Sequence, residues 1–104
     1  MTYDTKKGFC MDSRQKNNCK QVSRLLKVLA HPTRLEIVCV LREGRQCVND
    51  ICGYLEKKQS NISQHLSLLR NAGFIDLERV GNSSRYFLTN KKVVSVLQTL
   101  SEEA

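Results

Sequence analysis

The stretch that decides the fold is Gln59–Phe74, QSNISQHLSLLRNAGF. Its apolar residues Ile62, Leu66 and Leu69 recur at spacings of four and three, which places them on one face of a helix. The other faces carry short hydrogen-bonding side chains, and Gly73 follows as expected for a left-handed helix cap. In a strongly basic chain, such a Ser/Asn/Gln face is typical of a helix that reads base edges in a DNA major groove. An ordinary amphipathic helix with a solvated polar face is the alternative that this stretch leaves open.

The composition is that of one small basic domain. The chain has 104 residues, a net charge of +7 and a pI of about 9.4, which favours a polyanionic partner, nucleic acid before membrane. No signal peptide and no apolar run of membrane-spanning length is visible, so we expect a cytoplasmic protein. The five cysteines are an odd number, and in a reducing compartment we expect free thiols, metal ligands or redox sensors rather than a disulfide framework.

The remaining sequence predicts a mainly α fold around this helix. Residues 1–15 lack periodicity and are expected to form a flexible N-terminal arm, which leaves residues 16–104 as the DNA-binding and dimerisation domain. His31-Pro32 separates the first two helices, because proline disfavours helical geometry at the residue before it. A short helix and a polar turn then lead into the organising helix, which makes a helix-turn-helix. The predicted helices before the first strand are residues 16–30, 33–42, 48–55 and 59–72.

After Gly73 the pattern changes from helical to alternating. This alternation predicts two antiparallel strands joined by the turn residues 81–84, Gly-Asn-Ser-Ser. Arg79 and Arg85 flank the turn, which is the composition of a wing that contacts phosphates or a minor groove. A structural hairpin with incidental arginines is the alternative.

Asn90 can cap a last helix that carries more apolar surface than one small domain readily buries. Together with the first helix it is the candidate dimer interface, and a symmetric dimer would present two reading helices to two half-sites. The alternative is that these residues close the core of a monomer. The apolar residues concerned are Val93, Val94, Val96, Leu97 and Leu100.

Three segments in this order resemble the ArsR/SmtB family of bacterial repressors. They are LLKVLAHPTRLEIVCVLREG (25–44), CVNDICGYL (47–55) and QSNISQHLSLLRNAGFIDLERVGNSSRYFLT (59–89). The resemblance implies a winged helix-turn-helix homodimer that binds double-stranded operator DNA and is released when an inducer binds. The residues that match the DNA-reading and wing positions of the family are Gln59, Ser60, Asn61, Ser63, Gln64, His65, Arg79, Asn82, Ser83 and Arg85.

The cysteines indicate what such a repressor would sense. Arsenic-sensing members carry a C-V-C-D-L-C pattern where this chain has CVNDIC over 47–52, so two of the three thiolate positions, Cys47 and Cys52, are kept. Trivalent arsenic prefers about three soft thiolates, and Cys10 or Cys19 of either subunit is the expected third ligand. The resemblance therefore implies arsenite, or a soft ion such as cadmium or lead, as inducer, with no constitutive cofactor. The alternative is that Cys47 is a chance cap and Cys52 a small core residue.

Other activities have weaker support in the sequence. Cys39 resembles the cysteine of the persulfide- and redox-sensing branch of the family, but the last helix lacks the second cysteine, and a buried apolar Cys39 is the alternative. The zinc and nickel site of other members is absent, because the end of the last helix offers only Glu102 and Glu103. No cysteine has a histidine base near it in sequence, so we predict no enzyme. An interaction module without regulatory function remains open.

Overall fold

A computed structural model describes residues 10–101, which form five helices and a small antiparallel sheet. The predicted order of five helices with a hairpin before the last one is confirmed, and with it the winged helix-turn-helix fold. Within this range no helix is long and apolar enough to cross a membrane. Glu102, Glu103 and the first nine residues of the predicted arm lie outside the described residues. The elements are α1 (Ser13–Leu29), α2 (Pro32–Arg42), β1 (Gln46–Cys47), α3 (Val48–Leu55), α4 (Gln59–Asn71), β2 (Ile75–Val80), β3 (Ser83–Leu88) and α5 (Lys91–Ser101).

Helix α1 begins at Ser13 rather than at residue 16. The Asp12 carboxylate accepts a hydrogen bond from the Gln15 amide at 2.8 Å, and the Gln15 side-chain oxygen accepts one from the Asp12 amide at 3.1 Å. This capping box satisfies two amides at the helix start by local polar contacts, which apolar periodicity does not reveal. Residues 13–15 are therefore helical.

The start of α2 is fixed by the predicted His31-Pro32 break. Pro32 occupies the first helical position, where the missing amide hydrogen costs nothing. His31 is the cap residue, and its Nδ1 accepts a hydrogen bond from the Thr33 amide at 3.1 Å.

Strand β1 is a third strand that the sequence pattern did not predict. It pairs antiparallel with β3, so that the sheet order is β1-β3-β2. Gln46 lies opposite Tyr86, and Cys47 lies opposite Arg85. A strand this short carries no readable alternation. Its pairing nevertheless connects the start of α3 to β3, one of the two strands of the wing.

The turn of the wing is shorter than the predicted four residues. Val80 pairs with Ser83, so Ser83 and Ser84 belong to β3 and only Gly81 and Asn82 form the loop. Gly81 has φ +63°, a conformation that favours glycine, at the first position of a two-residue hairpin loop. The tip of the wing is therefore tight and set by the backbone.

The core lies between the helices and one face of the hairpin. The predicted apolar face of α4 is confirmed, since Ile62, Leu66 and Leu69 are all at most 1% exposed. Burial of such side chains is the main stabilising contribution, about 25 cal/mol per Å² of apolar surface. Helix α4 is held through this face, which leaves its opposite face free. The core residues are Leu29, Ile37, Val38, Leu41, Ile51, Ile62, Leu66, Leu69, Phe74, Ile75 and Val93.

Helices α1 and α5 each carry apolar side chains that the core does not cover. On α1, Val22 and Leu26 are 50% and 52% exposed, whereas Leu29 of the same helix is buried. On α5, Val96 and Leu100 are 45% and 76% exposed. These are the two helices that the sequence predicts to form the dimer interface.

Candidate nucleic-acid interface

Helices α3 and α4 form the helix-turn-helix, and Glu56 sets the turn between them. Glu56 is in the left-handed region, with φ +55°, and its amide donates to the Cys52 carbonyl. The Lys57 amide donates to the same carbonyl at 3.2 Å. Lys58 then caps α4 in an extended conformation. This turn starts α4 immediately beside α3, against which it packs.

The first turns of α4 present a polar surface to solvent. Gln59, Ser60, Asn61 and Gln64 are exposed, and Ser63 is half-buried at the edge of this surface. Their amides and hydroxyls supply both donors and acceptors, the groups that base edges in a major groove recognise. Helix-turn-helix proteins place this part of the second helix against the bases. The structure thus gathers these five predicted residues at one end of one helix; we call the exposed four the reading face.

His65 is turned away from the reading face. Its ring packs against His31, with the ring centroids 4.5 Å apart and the planes tilted by 45°. Its Nδ1 is buried and has no hydrogen-bond partner in the described part of the chain. Burial, and then the positive charges of His31, Arg34 and Lys57, lower the pKa of His65. The sequence grouped His65 with the base-reading residues, whereas the structure places it between α4 and the start of α2.

The wing carries its two arginines on opposite faces. Arg79 lies opposite Ser84, and its guanidinium donates to the Ser84 hydroxyl at 3.3 Å. Arg85 lies opposite Glu78. Because side chains alternate along a strand, the Arg79 pair and the Arg85 pair point to opposite faces of the hairpin. Both arginines are exposed, so the wing offers positive charge on both sides.

The tip of the wing adds two predicted residues. Asn82 and Ser83 are exposed, and the Ser83 hydroxyl donates to the Val80 carbonyl at 3.1 Å. The lone pairs of that hydroxyl and the Asn82 amide remain available to a neighbour. The tip is therefore polar and narrow, which suits the edge of a groove.

An ion pair links the end of α4 to the first strand of the wing. Nε of Arg70, at the end of α4, lies 3.0 Å from Oδ1 of Asp76 in β2. The Leu77 amide donates to the same oxygen at 2.8 Å. The hydrogen bond from Leu77, and then Arg70, lower the pKa of the Asp76 carboxyl. Asp76 is therefore ionised at neutral pH, and it holds the end of α4 to the start of the hairpin.

Two lysines before α4 were not among the predicted site residues. Lys57 and Lys58 are exposed and directly precede the reading face, where positive charge can approach phosphates that flank the bases. Tyr54 on α3 is 64% exposed and was also not selected. The adjacent lysines in the predicted turn were the signal that could have identified this cationic edge.

The structure does not bring the four predicted thiolate ligands together within one chain. Cys47 is the cap residue of α3 and Cys52 packs partly against the core, roughly 7.5 Å further along the helix axis and about 140° around it. Cys10 precedes α1 and Cys19 lies on it, both exposed. Among residues 10–101, no group of three or more His, Cys, Asp or Glu side chains is close enough to hold a metal ion.

Cys39 is exposed on α2 and not buried as an apolar residue. It lies in a groove between α2 and α5, beside Leu35, Leu97 and Leu100. Helix α5 carries no cysteine, so Cys39 has no thiol partner on the element opposite it. All the cysteines of the described range are free thiols.

Known proteins share this arrangement. Residues 31–76 match the profile of the family described as bacterial regulatory protein, arsR family. The biofilm growth-associated repressor of Agrobacterium fabrum is 36% identical over 80 residues, which cover 77% of this chain and 68% of that protein. The arsenical resistance operon repressor of Escherichia coli is 43% identical over 67 residues, 64% of this chain and 57% of that protein.

A relative of known structure is the transcriptional activator HlyU of Vibrio cholerae. It is 34% identical over 86 residues, which cover 83% of this chain and 79% of that protein. The structure of reduced HlyU superposes with a TM-score of 0.80 at 28% identity, covering 88% of this chain and 100% of the HlyU chain.

Proposed function

This chain belongs to the ArsR family of bacterial regulatory proteins, and on that premise we propose that it is a homodimeric, sequence-specific repressor that a thiol-reactive inducer releases from its operator. The family makes it a transcriptional regulator and not an enzyme. The observation that carries the DNA-binding role is the reading face, exposed on a helix whose opposite face is fixed in the core. HlyU is named an activator, so the sign of regulation is part of the proposal.

The dimer follows from the apolar faces of α1 and α5. Val22, Leu26, Val96 and Leu100 are each at least 45% exposed in the single chain, and a second copy would remove them from water. Dimeric helix-turn-helix proteins bind two half-sites about 34 Å apart, one turn of DNA, so we expect one copy of α4 at each half-site.

For the inducer, arsenite is the ligand that we propose, with cadmium or lead as alternatives. Residues five apart on an ideal helix lie about 140° apart around its axis, so binding of one arsenic to both Cys47 and Cys52 would unwind the first turn of α3. Because α3 packs against α4, such unwinding would reorient the reading face. Cys10 or Cys19 would supply the third thiolate. By linkage, bound DNA must weaken inducer binding by the same factor.

The test needs a DNA duplex that the protein itself selects from a random-sequence pool. Release of the reduced protein from this duplex is then followed by fluorescence anisotropy. We expect arsenite to raise the dissociation constant. Cys47→Ser and Cys52→Ser should abolish the response, and Cys39→Ser should retain it. Cys10→Ser and Cys19→Ser then identify the third ligand. Release that persists in both the Cys47 and Cys52 variants would disprove the arsenite site and leave DNA binding untouched.

A second candidate inducer is a persulfide, because the thiol of Cys39 is exposed beside α5, one of the two helices of the proposed dimer interface. The Cys39 thiolate would attack the terminal sulfur of a donor R–S–SH, giving a Cys39 persulfide and the thiolate R–S⁻. Mass spectrometry should detect one added sulfur atom. The persulfide would be the better assignment if the donor releases the protein from DNA, Cys39→Ser abolishes this release, and arsenite has no effect.

A further inference from the structure

A groove at the base of the wing is used neither by the reading face nor by the cysteines. It lies where the end of α2, the loop before β1, the end of β3 and the start of α5 meet, and its volume is about 400 Å³. Sites for small organic ligands in proteins have volumes of roughly 300–1,000 Å³. We call it the basic groove, because three cationic side chains line it: Arg42, Arg45 and Lys91.

The floor of the basic groove is apolar. Leu41 is buried, and Leu88 and Val94 are half-buried. The three cations are exposed around this floor, and none of the lining residues is acidic. An apolar floor with cations at its rim fits a molecule that has both an apolar body and a negative charge.

Arg45 is held in place for such a ligand. Its guanidinium lies over the Phe87 ring, 4.2 Å from the centroid, an arrangement that stabilises the cation. Nη1 of Arg45 also lies 3.0 Å from Oε1 of Glu78. A guanidinium has five N–H donors in a plane, so this single ion pair leaves donors free for a second carboxylate.

We propose that the basic groove binds a small amphipathic organic anion, a carboxylate with a short aromatic or aliphatic body. The carboxylate binds Arg45, with Arg42 and Lys91 beside it, and the body covers Leu41 and Val94. Charge complementarity selects this class of ligand, since a neutral or cationic analogue gains no ion pair with Arg42, Arg45 or Lys91. A charge-assisted hydrogen bond is stronger than a neutral one.

Ligand binding would change the affinity for DNA through Glu78, and this step rests on the proposed function. Glu78 lies directly opposite Arg85 of the wing, on the same face of the hairpin. A bound carboxylate shares the Arg45 guanidinium and weakens its ion pair with Glu78, and Glu78 then pairs with Arg85 across the strands. Arg85 is then less available to a DNA phosphate, so the ligand weakens operator binding.

The binding step is tested without DNA. We would titrate 4-phenylbutyrate into the ¹⁵N-labelled protein and follow amide resonances by NMR, with 4-phenylbutan-1-ol as the neutral control. Resonances of Gly44, Phe87 and Lys91 should shift with the acid only. Arg45→Gln and Lys91→Gln should each weaken binding about tenfold, and Lys92→Gln, a matched change outside the groove, should not. Equal binding of the alcohol, or shifts elsewhere in the protein, would overturn the proposal, and the spectra also report whether each variant is folded.

The coupling step is tested on the selected duplex. Phenylbutyrate should raise the dissociation constant of the wild-type protein severalfold. Glu78→Gln should still bind the acid by NMR but lose its effect on DNA affinity. If the acid binds the groove and DNA affinity does not change, the coupling is wrong and the site stands. If the protein selects no duplex at all, it is the proposed function that fails, and the NMR result is unaffected.

Discussion

The arginines of the wing should determine part of the salt dependence of DNA binding. Arg79→Gln removes one positive charge from each wing, and the proposed dimer has two wings. If each arginine neutralises one phosphate, the slope of log K against log salt becomes less negative by about 0.9 per contact, or about 1.8 per dimer. Between roughly 50 and 200 mM salt the wild-type protein should therefore lose about twelvefold more affinity than the variant. The weak 3.3 Å contact of Arg79 with Ser84 does little to hold the side chain back from DNA.

The assay is fluorescence anisotropy with the selected duplex at several KCl concentrations. Arg79→Lys keeps the charge and should keep the slope. Gln64→Ala should lower affinity for the selected duplex without changing the slope, because a base contact releases no counterions. Arg14→Gln makes the same charge change on α1. If Arg14→Gln flattens the slope as much as Arg79→Gln, net charge and not a wing contact explains the effect, and the reasoning is refuted.

Three further expectations follow from burial, exposure and ionisation. Leu69→Ala, at a fully buried position, should lower the free energy of unfolding by about 2–5 kcal/mol in urea titrations, whereas exposed Leu68→Ala should change it by less than about 0.5 kcal/mol. Leu26→Glu should convert the dimer to a monomer in analytical ultracentrifugation, and Arg24→Glu on the same helix should not. Because the pKa of His65 lies below its ordinary value of 6.5, the unfolded chain binds this proton first. The contribution of His65 to the free energy of unfolding should therefore be constant above pH 6.5 and decrease below it. The decrease is at most about 1.4 kcal/mol per pH unit and smaller at a half-buried site. A His65→Gln variant with the same pH profile as the wild-type protein would contradict this.

The elements that the sequence predicted are those with strong periodicity. The spacing of Ile62, Leu66 and Leu69 sufficed for α4, because a helix buried on one face must repeat its apolar residues. The wing followed from the change to alternation after Gly73. Features set by short-range polar contacts were missed, such as the cap at Asp12 and the two-residue loop that places Ser83 in a strand.

The candidate site was predictable as a set of residues but not as a geometry. Spacing places His65 at the edge of the polar face of α4, and only the packing of α2 shows that it meets His31. Cys47 and Cys52 match a family pattern, yet only the structure shows that no third thiolate of the described residues joins them. The Arg45–Glu78 pair joins residues distant in sequence, so periodicity gave no signal of the basic groove.

Strand β1 has a consequence for anyone who would redesign this protein as a biosensor. Cys47 is paired through its backbone with Arg85, so the residue proposed to detect the inducer is a direct neighbour of one proposed to hold DNA. A change of inducer specificity at this cysteine will therefore also change the background output of the sensor. Cys52 lies outside this strand pair, so a change of inducer specificity made there leaves the backbone pairing with Arg85 in place.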